Sequence, residues 1–219
     1  MTEPTALPAS TPAKRTRRTQ ERTEIARASL VNAATPLFAE QGFDAVSVRD
    51  IEIAAQVRRG MLAYHFGDKE SLWKTVADVN FEHLTTEIGH RFEILKDLSE
   101  RERLAVIIRF HVRYYAKHPE LSRLMSQEAR QDTWRIHYLV EKHLRPSILR
   151  LKDHVTGTLQ LSGNEFAHWY YIMVSASATI FSFAPECELL FGFDPHAESV
   201  VDAHAQMMVT MLLGDPSSA

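Results

Sequence analysis

From Glu24 onward the apolar residues recur at intervals of three and four, and no segment alternates at period two, so the pattern predicts helices and no strands. Leu30, Ala33, Ala34, Leu37 and Phe38 form one such stripe, and Gly42 stands where a helix ends. Pro36 inside this helix removes a backbone bond and crowds residue 32, which predicts a local bend. Ser47 opens a second helix with Asp50 as its capping-box partner and with Val48 and Ile51 facing inward. A tight turn near residues 55–57 leads to a short third helix at about 58–64. Asp68 caps a fourth that starts at Lys69 and reaches about residue 88. Further helices are predicted near 100–117, 120–130, 133–154, 164–184 and 196–212, about nine in all.

This pattern divides the chain into four stretches: a disordered basic arm at 1–23, a three-helix segment spaced as a helix-turn-helix at 24–70, a helical domain at 71–214, and a disordered tail at 215–219. The arm begins with Pro, Ala, Thr and Ser and then carries Lys14, Arg15, Arg17 and Arg18. Arg17 and Arg18 belong either to a solvated tail or to a segment that orders on DNA phosphates and the minor groove.

Charge adds a second division. Residues 14–75 hold 11 Lys and Arg against 8 Asp and Glu, whereas 76–219 hold 14 against 19. A basic front and an acidic rear fit a nucleic-acid head on a solubilising body. One cysteine, Cys187, excludes an intrachain disulfide, and the absence of a secretory signal near Met1 predicts a cytoplasmic protein. No apolar run is long enough for a membrane span, and the apolar stretch at 170–184 is broken by Ser175, Ser177, Thr179 and Ser182.

In a helix-turn-helix the second helix enters the major groove while the first crosses the backbone. The interval from Ser47 to Phe66 suits that geometry. Arg58 or Arg59 can make bidentate bonds to guanine, and Met61 can touch a thymine methyl. Tyr64, His65 and Lys69 are placed to hold phosphates, with Arg49 on the flanking phosphate. The N–H groups at the start of the second helix are a further phosphate site. Spacing alone leaves open an all-α protein with two short helices and surface arginines.

The run from Arg27 to Leu72 resembles the N-terminal domain of the TetR family of transcriptional regulators. The resemblance lies in Ala33-Ala34-x-x-Leu37-Phe38-Ala39-Glu40-x-Gly42-Phe43, in Ser47-Val48-Arg49-Asp50-Ile51, and in Gly60-x-Leu62-x-Tyr64-His65-Phe66-Gly67-x-Lys69-Glu70-x-Leu72. It implies phosphate contacts at Tyr64, His65 and Lys69, and base-facing positions at Arg58, Arg59 and Met61. The chain departs from the family pattern where Ala is usual at Glu52, Gly at Gln56, Ser at Arg58, Thr at Met61 and Tyr at Ala63. Gln56 then has to adopt a left-handed turn and Arg58 replaces a helix-capping oxygen, each a penalty of about 1 kcal/mol.

The resemblance further implies a two-fold dimer built on the last two helices and a small-molecule effector of unknown identity. Interface candidates are Tyr170, Met173, Ser177, Ile180 and Phe181 on one helix and Val201, His204, Met208 and Met211 on the other. Phe110, Tyr114, Met125, Trp134 and Trp169 are candidate cavity residues, with Arg113 and Glu128 to orient a polar group or to form surface ion pairs. The expected function is a ligand-responsive repressor that binds a palindromic double-stranded DNA operator. The alternative is a ligand-independent DNA-binding protein of chromosome organisation or cell division. No catalytic triad order, glycine-rich phosphate loop or metal-ligand spacing is present, so neither enzyme chemistry nor a cofactor is expected.

Overall fold

A computed structural model describes residues 12–95 and 97–214, without the side chains of 12–20, 92 and 93. The described residues are all-helical and contain no strand. They form two compact units, one of residues through Leu37 with Phe43–Val76 and a second of Phe38–Gly42 with the chain from Ala77 onward. The head holds most of α1 (Pro12–Gln41), then α2 (Val48–Ala54) and α3 (Met61–Phe66); α1 and the following α4 (Lys69–Ile94) each carry residues of both units. The rest are α5 (Glu100–Lys117), α6 (Pro119–Glu128), α7 (Trp134–Leu139), α8 (Arg145–Leu159), α9 (Gly163–Ser182), α10 (Ala184–Phe191) and α11 (Glu198–Leu213).

Capping chemistry sets several boundaries. Ser47 with Asp50, Ser99 with Glu102 and Ser162 with Glu165 form reciprocal capping boxes ahead of α2, α5 and α9. Asp68 accepts a bond from the Ser71 N–H at 2.7 Å and opens α4. Gly42 closes α1 with φ +79°, a conformation that favours a residue without Cβ.

Three boundaries differ from expectation. The arm expected to be disordered through residue 23 joins α1 at Pro12, because a proline suits the first helical turn and no helix breaker follows until Pro36. The long helix expected at 133–154 is interrupted by a π-helical turn, Val140–Leu144. Pro146 explains the interruption: it has no N–H, and its ring crowds the carbonyl of Lys142 four residues back. The segment after α9 forms α10, with Pro185 in its first turn.

In the first unit Val46, Ile51, Leu62, Leu72 and Trp73 are fully enclosed. In the second, α5 is the central helix and packs against α6, α8, α9 and α11. Its Leu104, Ile107, Ile108 and Val112 share that core with Leu121, Leu124, Met173, Phe181 and Met208. Among the described residues, no helix is long and apolar enough to cross a membrane.

Candidate nucleic-acid interface

The head presents a basic turn on a tightly bonded frame. After α2 the chain turns through Gln56 at φ +55°, the left-handed conformation expected of that position. Arg58 and Arg59 follow, both exposed, and α3 starts only at Met61. The helix expected from 58 therefore begins three residues later, and its cap is Gly60 at φ +88°, which supplies no side-chain oxygen. That oxygen comes from Glu52 on α2. Its Oε1 accepts the N–H groups of Gly60 at 2.8 Å and Leu62 at 3.0 Å, and Glu52 is itself buried.

This arrangement corrects two expectations. Arg58 leaves no cap missing, because position 58 is not the cap. The start of α3 is also not an open row of N–H groups for phosphate, since Glu52 holds two of them with a negative charge. Glu52 had stood out only as a departure from the usual Ala; the signal that finds its role is an acid eight and ten residues before the N–H groups it holds. The start of α3 thus presents side chains to solvent in place of an open row of N–H groups.

Arg49, Arg58, Arg59 and Tyr64 are exposed, and Tyr64 is 73% accessible. Met61 is half-buried. His65 is also half-buried, with its ring edge-on to Tyr64 at 5.0 Å and its Nε2 enclosed without a hydrogen-bond partner. Lys69 is a tether. Its Nζ donates to the carbonyls of Phe43 at 2.8 Å and Val46 at 2.9 Å and lies 4.2 Å from the Phe43 ring centroid. Two of its three N–H donors thus hold the α1–α2 loop, and one remains outside those bonds. The side chains of Arg17 and Arg18 lie outside the described residues.

The candidates in the second unit separate into different places. Phe110, Arg113 and Tyr114 line a groove of about 420 Å³ between α4 and α5. Glu128 does not; it is buried in an ion pair with Arg135 at 2.7 Å. Trp169 is buried and donates its indole N–H to the Leu212 carbonyl at 3.3 Å. Met125 is half-buried, and Trp134 is partly exposed at the start of α7. Arg113 pairs with Asp202 at 2.8 Å, both side chains being exposed.

The interface candidates also need correction. Met173, Ser177, Phe181, Val201 and Met208 are buried within the single chain, and Tyr170, Ile180 and His204 are half-buried. Only Met211 of that set is exposed. The exposed large apolar side chains of this region are others: Tyr171 and Ile172 on α9, Met207 with Met211 on α11, and Phe183, Leu189, Leu190 and Phe191 on and before α10. Amphipathic periodicity marks two apolar stripes on such helices, and burial shows which one the chain itself covers.

Residues 30–76 match the model of the bacterial regulatory proteins of the tetR family, and 101–212 match a tetracyclin repressor-like C-terminal domain. The transcriptional repressor NicS of Pseudomonas putida is 30% identical over 118 residues, covering 52% of this chain and 54% of NicS. An HTH-type transcriptional repressor of Mycobacterium tuberculosis is 43% identical over 67 residues, covering 31% of this chain and 33% of that protein. The chain thus spans about a third to a half of the length of these curated relatives. The fold is similar to that of the regulator FadR from Bacillus subtilis, solved with stearoyl-CoA, at TM-score 0.59 and 18% identity over 86% of this chain and 98% of that one. With its helix-turn-helix head and matched C-terminal domain, the chain belongs to the tetR family of bacterial regulatory proteins.

Proposed function

We propose that this chain is a dimeric transcriptional repressor that binds a palindromic DNA operator through α2 and α3 and releases it when a small molecule occupies the second unit. The observation that carries the DNA-binding part is the exposed Arg58–Arg59 turn, held by Glu52 at the entrance of α3 with Tyr64 exposed one turn further on. Arg58 and Arg59 read bases, and Tyr64 and Arg49 hold phosphates. His65 packs beside Tyr64, and the remaining donor of Lys69 reaches the backbone. The repressor names of the Pseudomonas and Mycobacterium relatives support this assignment.

Dimerisation is supported by the exposed apolar side chains of α9 and α11, Tyr171, Ile172, Met207 and Met211. A two-fold dimer sets two α3 helices at successive major grooves, and operator symmetry follows from protein symmetry. The effector part is supported by the groove between α4 and α5 and by the FadR structure containing stearoyl-CoA. Release is a population shift. The ligand favours a form whose reading helices do not match the groove spacing, and DNA weakens ligand binding by the same factor. Because α4 belongs to both units and lines the groove, it is the element that carries the coupling. Action on chromosomal DNA puts the protein in the cytoplasm.

The test is a mobility shift with DNA taken from upstream of the protein's own gene. Arg58→Ala combined with Arg59→Ala is expected to weaken binding by about 1–3 kcal/mol per lost base contact. Unchanged binding by the folded double variant overturns the base-reading role.

A further inference from the structure

The groove between α4 and α5 has an unusual charge for its surroundings. The second unit belongs to an acidic stretch, yet Arg91, Arg109, Arg113 and Lys117 face this groove and only one carboxylate, Glu87, lines it with them. Arg109, Arg113 and Lys117 follow at intervals of four on α5 and so share one face of the helix. Like charges at that spacing destabilise a helix, so helical stability does not account for Arg109 and Arg113, whereas Lys117 in the last turn suits the helix C-terminus.

Three of these cations are held in position. Glu87 takes Nη1 of Arg91 at 2.7 Å, and the guanidinium carbon lies 4.0 Å from the Phe110 ring centroid. Asp202 takes Nε and Nη2 of Arg113 at 3.1 and 2.8 Å. The Gln206 carbonyl takes Nη2 of Arg109 at 3.0 Å. Each guanidinium has five N–H donors in a fixed fork, so these bonds leave donors for a ligand. Val106, Phe110 and Tyr114 supply apolar surface in the same groove. Four cations set against Glu87 and Asp202 leave a surplus of two positive charges among these groups. A volume of about 420 Å³ accommodates a small organic molecule.

We infer that the groove binds a small organic dianion, a phosphomonoester or a dicarboxylate on an apolar body, as the effector of this regulator. The anion lies across Arg109, Arg113 and Lys117, and the apolar body rests against Val106 and the Arg91–Phe110 platform. The exposed pairs with Glu87 and Asp202 are weak enough to yield donors to a better-placed ligand. The inference rests on the ligand-release mechanism proposed above for its regulatory meaning, but binding itself does not depend on DNA.

The experiment is calorimetric titration of the full chain without DNA, using 1-naphthyl phosphate, naphthalene-2,3-dicarboxylate and 1-naphthol. Both dianions are expected to bind saturably and about tenfold or more tighter than the uncharged naphthol. The tighter of the two identifies phosphate or dicarboxylate as the preferred head. Arg109→Gln, Lys117→Gln and the pair Arg109→Gln with Arg113→Gln each weaken dianion binding, the pair by about tenfold or more, while Arg145→Gln outside the groove does not. Equal binding of naphthol, full affinity in the folded Gln variants, or no saturable heat with either dianion at millimolar concentration overturns the inference. Operator binding is followed separately by fluorescence anisotropy. A failure of DNA recognition thus leaves the calorimetric result standing, and the reverse holds equally.

Discussion

Glu52 is the residue on which the turn between α2 and α3 depends. Its carboxylate closes a loop from α2 to the start of α3, and the Leu62 N–H that it accepts is buried. Removing the acceptor strands that donor, so Glu52→Ala is expected to lower stability by about 1–3 kcal/mol, and Glu52→Gln, which keeps a carbonyl, by less. Chemical denaturation of the full chain measures both, and equal loss in the two variants would contradict the hydrogen-bond account. Sequence comparison within the family marks Glu52, Gln56 and Arg58 as departures but assigns the penalties incompletely. The left-handed Gln56 is real, whereas the cap of α3 is Gly60, whose missing side-chain oxygen is supplied through space by Glu52 on the preceding helix, which periodicity does not reveal. A second residue, His111, sets a pH dependence. Burial pushes its imidazole below the usual histidine range, and the bond to the Ile107 carbonyl at 2.9 Å offsets only part of that. The unfolded chain binds this proton near pH 6.5 and the folded one only at lower pH, so the contribution is full above about 6.5 and declines as pH falls below it. Denaturation midpoints measured from neutral to mildly acidic pH are expected to fall less steeply in His111→Phe than in the parent.

At the scale of elements, the turn between α2 and α3 and the π-turn after α7 are both places where backbone geometry departs from the regular helix. Gln56→Gly relieves the left-handed strain but adds chain entropy, and a net gain of about 0.5–1 kcal/mol is expected in denaturation experiments. The π-turn brings Lys142 and His143 to Asp78 on α4, at 2.8 and 2.9 Å, and Tyr138 of α7 donates to the same oxygen at 2.8 Å. Burial pushes the Asp78 carboxyl up, but the bonds from Lys142, Tyr138 and His143 outweigh it and hold the group below the usual aspartate range. Its contribution is therefore present above that range and is lost on acidification through the lowered value. Asp78→Asn removes the charged acceptor from three donors and is expected to lower stability by about 1–3 kcal/mol at neutral pH, read by the same denaturation assay. Most helices were legible because capping residues and apolar spacing are local; Ser99 with Glu102 and Ser162 with Glu165 mark helix starts within one turn. The π-turn was not, because apolar spacing runs across it and only Pro146 records the break. Helix α10 was missed because Glu186 and Glu188 interrupt it and its apolar run, Leu189–Phe191, is too short to show a stripe.

For the whole molecule, assembly follows from which apolar surface the chain leaves uncovered. Sequence periodicity selected the stripes of α9 and α11 that carry Met173, Phe181 and Met208, and these fill the chain's own core. Tyr171, Ile172, Met207 and Met211 remain exposed on the same two helices. Covering that face with a second copy removes apolar side chains from water on both partners, whereas a buried charge at its centre has no compensating partner. If the proposed dimer forms through this face, Ile172→Glu with Met207→Glu converts it to a folded monomer in sedimentation velocity. The two heads then bind independently, and operator affinity falls by about a hundredfold or more with the loss of effective concentration. A variant that stays dimeric would move the interface off this face. A monomer with undiminished operator affinity would instead show that a single head suffices, so these two measurements test the dimer and its role in DNA recognition separately.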